Sequence, residues 1–191
     1  MIRAFIAVEI DSKTVQNISD AIDQLKTRVP AVRWTAVKNL HVTLKFLGDI
    51  EETKVEPIAR ALRDHIQPFS RFTISAKGLG VFPDLRRPRV LWVGLESTRL
   101  AGLASLVEQS LEPLGLLPEK RPFQPHLTIG RWREREKPDI KIGAILDRWK
   151  NHEFGQSEVK IVTLFQSTLQ PGGAIHRVLE EVALSSVERP D

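Results

Sequence analysis

The chain has 191 residues, 41% hydrophobic and 27% charged, the balance of one soluble globular domain or of two small lobes sharing a core. It holds no cysteine, which excludes disulfides, cysteine-type zinc sites, iron–sulfur clusters and a thiol nucleophile, and its net charge of +4 is a mild excess that suits a polyanion-facing surface or a solvated rim. No apolar run approaches the roughly 20 residues of a spanning helix, and Glu9 and Asp11 interrupt the apolar start too early for a signal peptide, so the expectation is a cytoplasmic protein without a membrane partner.

In chain order, Arg3 to Ile10 reads as a short buried strand. Asp11 or Ser12 caps a helix whose stripe is Val15, Ile18, Ile22, Leu25 and Val29, and Pro30 stops it. Val32 to Thr35 is a brief extended piece. His41 to Leu47 is a strand closed by Gly48-Asp49. Thr53 with Glu56 has the spacing of a capping box before a helix marked by Val55, Ile58, Leu62 and Ile66. Arg71 to Ala76 alternates as a strand, and a loop rich in Gly, Pro and Arg follows from Lys77 to Arg89. Val90 to Leu95 is a second apolar strand, and Leu100, Leu103, Val107 and Leu111 mark a helix. Pro125 to Gly130 is a strand, Ile142 to Trp149 a helix. Val159 to Leu169 and Ala174 to Leu184 are two last strands around the turn at Pro171-Gly172-Gly173.

The two halves repeat one order of elements. Phe5 to His41 spans 36 positions and Trp92 to His126 spans 34. Each half runs strand, amphipathic helix, irregular stretch, then a strand carrying His-x-Thr. The expectation is a single 1–191 domain built by internal duplication, with approximate repeats 1–85 and 88–185.

His41-Val42-Thr43-Leu44 and His126-Leu127-Thr128-Ile129 are the informative feature. Residues two apart on a strand share a face. His41, Thr43 and Lys45 are therefore expected on one face, with Val42, Leu44 and Phe46 on the other, toward the core. His126 and Thr128 likewise oppose Leu127 and Ile129. Two such polar faces can line a groove between pseudo-symmetric lobes. Imidazole titrates near 6.5, so one ring can take a proton from an attacking oxygen while the other gives one to a leaving oxygen. The threonine hydroxyls can donate to non-bridging phosphate oxygens. The competing readings are strand histidines satisfied by backbone, and a metal site. The second is weaker, because neither His-x-His nor His-Glu-x-x-His spacing occurs. His65, near a helix end, His152, in an Asn-His loop, and His176, in the last strand without a threonine two positions on, read as structural.

With both motifs in view, the sequence resembles the two-histidine phosphoesterases, and within them the RNA 2′,3′-cyclic phosphodiesterases once named 2′-5′ RNA ligases. The likeness covers essentially the whole chain. It rests on Arg3-Ala4-Phe5-Ile6-Ala7, on Leu40-His41-Val42-Thr43-Leu44-Lys45-Phe46-Leu47-Gly48, on Gly80-Val81-Phe82-Pro83, on Pro88-Arg89-Val90-Leu91-Trp92, and on Pro125-His126-Leu127-Thr128 followed by Arg131. It implies a bilobal α+β fold, two antiparallel sheets with outer helices around a basic groove. It implies metal-free, cofactor-free hydrolysis of a terminal 2′,3′-cyclic phosphate to a 2′-phosphate. His41 would protonate the leaving 3′ oxygen, His126 would activate water, Thr43 and Thr128 would hold the phosphate, and Arg131 would add a charge-assisted contact. Phe46, Trp34 and Phe82 are candidates for stacking on a base, or for core and rim packing. The implied partners are RNA ends carrying the cyclic phosphate, tRNA fragments and cyclic nucleotides, met by a monomer. The basic clusters Arg86, Arg87, Arg89 and Lys120, Arg121, Arg131, Arg133, Arg135, Lys137, the second diluted by Glu134 and Glu136, read as a solvated rim, with a polyanion-binding surface as the alternative. Two alternatives remain open at this level: 2′-5′ ligation in the same groove, and a non-catalytic RNA-binding module.

Overall fold

The computed structural model describes residues 1–132, 142–171 and 173–186. Two antiparallel sheets form its frame. The first has the order β3-β1-β8-β9, from β1 (Ile2–Val8), β3 (Val42–Ile50), β8 (Ile161–Gln170) and β9 (Gly173–Ala183). The second has the order β2-β6-β5-β4-β7, from β2 (Val32–Trp34), β4 (Phe72–Phe82), β5 (Val90–Glu96), β6 (His126–Trp132) and β7 (Glu153–Val159). The expected α+β pair of antiparallel sheets is therefore present.

The halves of the chain are interlaced. β4 comes from the first half and pairs with β5; β8 comes from the second half and pairs with β1. The cores of the two sheets, β3-β1-β8 and β6-β5-β4, thus match in order while each borrows a strand from the other half. The helices cross over too. α1 (Ser12–Lys26) follows β1 yet packs on β7, while α3 (Leu100–Leu111) follows β5 yet packs on β3 and on α2 (Val55–Ile66). α4 (Ile142–Trp149) lies against β4. Ile18, Ile22 and Leu25 of α1 and Ile58, Leu62 and Ile66 of α2 are buried as their three-four spacing requires. Each such side chain contributes roughly 1.5–3 kcal/mol by leaving water. Among the described residues, no helix is long and apolar enough to cross a membrane.

The structure corrects several sequence expectations. β3 does not close at Gly48-Asp49 but continues to Ile50. Gly48, at φ +69°, absorbs an extra residue, so that Ala4 pairs with Gly48 and Phe5 with Phe46. β4 likewise runs through the expected Lys77–Arg89 loop as far as Phe82, with a bulge at Gly78 (φ +71°). A side chain there would also strike the Lys150 carbonyl oxygen, 2.7 Å from an added Cβ. The capping box does not form: Thr53 Oγ1 donates to Glu51 Oε2 at 3.4 Å, and a 3-10 turn over Glu52–Lys54 leads into α2. Asp11 stands at the N-cap of α1, but its carboxylate accepts the Glu158 N–H at 3.2 Å instead of capping. β7 escaped the sequence reading because Glu153–Val159 is polar, with Phe154 and Val159 as its buried apolar anchors. Only Lys160 separates β7 from β8, so the expected Val159–Leu169 strand takes in the last residue of β7 along with β8. The turn residue Gly172, and Arg133, Glu134, Arg135, Glu136 and Lys137 of the second charged cluster, lie outside the described residues.

Candidate active site

A cavity of about 790 Å³ opens between the sheets, and all five residues singled out by the motifs line it: His41, Thr43, His126, Thr128 and Arg131. Sequence alternation alone does not account for this. β1 pairs Ala7 with Thr43 and Ile6 with Lys45, so Leu44 is an extra residue. β5 pairs Trp92 with Thr128 and Leu91 with Gly130, so Ile129 is an extra residue. Both bulges fall immediately after the motif threonine. A bulge inverts the alternation beyond it, because side chains repeat with period two.

The consequence differs in the two strands. In β3 the bulge turns Lys45 away from the groove and Phe46 toward it, which overturns the expectation that Lys45 shares the His41 face. Lys45 is 2% exposed; its ammonium pairs with Glu108 of α3 and donates to the Leu117 carbonyl at 2.8 Å. Glu108 in turn accepts the Glu119 N–H at 3.3 Å, tying down the segment that leads toward His126. Phe46 stands 55% exposed and lines the cavity. In β6 the bulge sends Gly130 to the packed side, where an added Cβ would meet Val32 Cγ1 at 2.4 Å. It delivers Arg131 to the groove, at the position Phe46 holds in β3.

The imidazoles are anchored alike. His41 Nδ1 donates to the Asn39 carbonyl at 2.8 Å, and His126 Nδ1 donates to the Gln124 carbonyl at 2.7 Å. Each ring is held by the carbonyl two residues before it, which leaves Nε2 as the nitrogen for proton exchange. His41 stacks on Phe5 with centroids 4.8 Å apart; His126 meets Phe82 edge-on at 4.9 Å. Burial first, then the neighbouring His176 and the Arg131 charge, push His41 down to about 4, against a partial lift from the Asn39 bond. Burial also lowers His126, with Arg131 adding to it and the Gln124 bond opposing. Both rings are therefore neutral acceptors at neutral pH in the free protein.

The cavity's charge is one-sided. Arg3, Arg33, Lys38 and Arg131 line it, and among its described lining residues there is no aspartate or glutamate. Arg131 is lowered from its ordinary value by partial burial and by Arg3. Cations held together without a counter-charge favour an anionic occupant. Arg3, Arg33 and Lys38 were missed from the sequence, since each is a lone cation on a different element. By contrast, Arg86, Arg87 and Arg89 do not line this cavity; the Arg86 and Arg87 N–H groups bond Asp84 Oδ1 at 2.8 and 3.0 Å in a surface turn. Lys120 and Arg121 are exposed and also lie outside the lining.

Of the three candidate stacking aromatics, Trp34 and Phe46 line the cavity, whereas Phe82 backs His126. His65 bonds its own helix at the Ala61 carbonyl, and His152 packs on Trp149 and Phe154. Contrary to the expectation of a structural role, the His176 ring lines the cavity 5.2 Å from that of His41. Among the described residues, no three His, Asp or Glu side chains stand together as metal ligands.

Comparison with known proteins gives a consistent result. The family model described as LigT like Phosphoesterase matches twice, over residues 9–92 and 93–176. The chain is 36% identical to an RNA 2′,3′-cyclic phosphodiesterase of Methanothermobacter thermautotrophicus, over 94% of this chain and 97% of that one. It is 34% identical to the protein of the same name from Aquifex aeolicus, over 96% and 98%. Among solved structures, E. coli LigT complexed with 3′-AMP superposes with a TM-score of 0.74 at 26% identity, covering 96% of this chain and 98% of that one.

Proposed function

Because the chain belongs to the LigT-like phosphoesterase family, we propose that it is an RNA 2′,3′-cyclic phosphodiesterase, opening a terminal cyclic phosphate to a 2′-phosphate. The observation that carries this reading is the pair of backbone-anchored imidazoles, each with its threonine, facing one cavity that Arg3, Arg33, Lys38 and Arg131 make cationic. The names of the relatives favour hydrolysis over ligation.

His126 Nε2 accepts a proton from water as that water attacks phosphorus. His41 Nε2 protonates the departing 3′ oxygen. The Thr43 and Thr128 hydroxyls donate to the non-bridging oxygens, and Arg131 meets the charge that develops on them. The acid needs a proton that the free protein does not hold at neutral pH, since His41 sits at about 4. An anionic phosphodiester in the groove raises that value by direct attraction, so the donor is loaded in the complex. Trp34 and Phe46 offer flat faces to the terminal base. Neither step calls on a metal or an organic cofactor.

The doubled family match supports reading the chain as an internal duplication. So does the register, in which Trp92 takes the place of Ala7 and makes both spacings to the motif histidine 34 residues. With both motifs in one chain, a monomer suffices. RNA ends of the cytoplasm, tRNA fragments and cyclic nucleotides included, are the substrates this reading assigns. The test is turnover of an oligonucleotide ending in a 2′,3′-cyclic phosphate, separated from a 5′-hydroxyl acceptor strand by electrophoresis. Hydrolysed ends are expected. Joined strands would indicate the ligase, and binding without any product would indicate an RNA-binding module.

A further inference from the structure

His176 is the groove imidazole with no part in the scheme above. It lies on β9 in register with Ser167 of β8, and β8 lies beside β1. This order brings its ring edge-on to His41 at 5.2 Å (72° between planes) and to Phe5 at 4.9 Å. A second cavity of about 220 Å³ adjoins the pair, lined by His41, His176, Glu9, Lys38 and Phe165 among others. His126 has a different environment: its ring neighbours are Phe82 and Trp92. The two motif histidines, alike in sequence and in their backbone anchors, differ in their ring contacts: His41 packs against a second imidazole and His126 against an indole.

We propose that His176 is a positioning residue that decides when His41 takes up its proton. Its ring packs edge-on to His41, and once falling pH has charged His176 its positive form repels a second charge there. The catalytic meaning rests on the cyclic-phosphodiesterase reading; the coupling between the rings does not. His176 is the less buried ring and takes its proton first as pH falls. The other ionisable groups lining the two cavities are Arg3 and Glu9 at the two ends of β1, Arg33 on β2, Lys38 in the turn before β3, Arg131 on β6 and His126 across the cavity. Arg3, Arg33, Lys38 and Arg131 act in the same sense as His176, and Glu9 opposes them. Arg177, next on β9, lines neither cavity, and β8 contributes the neutral Phe165 and Ser167. A bound phosphate monoanion cancels the repulsion. His41 then takes up its proton more readily when substrate is present than when it is not.

The experiment is an NMR titration of the histidine rings in the full chain, for the wild type, His176→Gln, His176→Lys and His41→Asn. The Gln variant removes the charge with a polar side chain of similar reach; the Lys variant restores a cation without the ring. His176→Gln should raise the His41 midpoint by about one unit, a tenfold gain in proton affinity. His176→Lys should return it toward the wild-type value. His41→Asn should leave the His176 midpoint nearly in place, because His41 is still neutral when His176 takes its proton and the repulsion falls on the second proton of the pair. Inorganic phosphate, added to the wild type, should raise the His41 midpoint, and the His41 limb of the kcat/KM profile should shift with His176→Gln in the same direction. An unchanged or lowered His41 midpoint in His176→Gln would overturn the proposal, as would a raised midpoint that His176→Lys fails to reverse. These titrations use no RNA. Lack of hydrolysis would therefore remove the reaction assigned above, whereas intact hydrolysis with uncoupled rings would remove only the role of His176.

Discussion

Acid sensitivity of the fold reports the state of His41 directly. The ring titrates at 6.5 in an unfolded chain and is held at about 4 in the folded one, chiefly by burial. At about 1.36 kcal/mol per unit, that gap corresponds to on the order of 3 kcal/mol. The sign follows from proton binding. Above pH 6.5 the ring is neutral in both states, and its contribution to stability is fully present. Between 6.5 and about 4 the unfolded chain binds the proton and the folded chain does not, so stability falls as pH falls. Below about 4 the contribution is gone. His41→Asn removes this titration and leaves the carboxylates and the other histidines to respond as before. Urea unfolding at pH 7.5 and pH 4, for wild type and variant, isolates the difference. The wild type should lose on the order of 3 kcal/mol more than His41→Asn between the two pH values. Equal losses would show that the ring is not held neutral by its burial, and would remove the basis for a substrate-loaded acid.

Other expectations follow from the same geometry. His41→Ala and His126→Ala should each reduce turnover by about 10²–10⁴-fold or more with the fold retained, as measured by initial rates beside circular dichroism. Lys45→Ala strands the Glu108 carboxylate beneath β3. It should therefore lower stability by roughly 3 kcal/mol in denaturant titration, against little loss for the exposed Lys26 of the Lys26–Asp23 pair. Exhaustive EDTA dialysis should leave kcat unchanged, while rising salt should raise KM as Arg3, Arg33, Lys38 and Arg131 are screened. Restoration of a lost rate by zinc or manganese would reassign His41 and His126 as ligands.

The chemistry was largely legible in the sequence, and its geometry only partly. Periodicity located α1, α2 and α3, because each buries one apolar stripe. The His-x-Thr pairs located the imidazoles and hydroxyls that line the groove, because a two-residue step fixes a shared face on any regular strand. The bulges at Leu44 and Ile129 were not legible. Both residues are ordinary strand formers, and the extra position exists only relative to β1 and β5. Strict alternation therefore misplaced Lys45 and gave no reason for Arg131 to reach the groove. Gly130 was the one visible signal, since its missing side chain makes room for Val32. Arg3 carried a signal in the opening Arg3-Ala4-Phe5-Ile6-Ala7, but Arg33 and Lys38 carried none. His176 was invisible for another reason. It stands 135 positions from His41, and only the insertion of β8 between β1 and β9 makes them neighbours. A partner set by strand exchange between the halves leaves no trace in local pattern.

The central claim is that water, activated by one imidazole, opens the cyclic phosphate while the other imidazole protonates the 3′ oxygen. The most direct measurement is hydrolysis of a cyclic-phosphate-ended oligonucleotide in ¹⁸O-enriched water, with the product examined by ³¹P NMR and mass spectrometry. The account predicts a 2′-phosphate carrying a single ¹⁸O, formed by the wild type and by neither His41→Ala nor His126→Ala. A 3′-phosphate, or a product without the water oxygen, would contradict it.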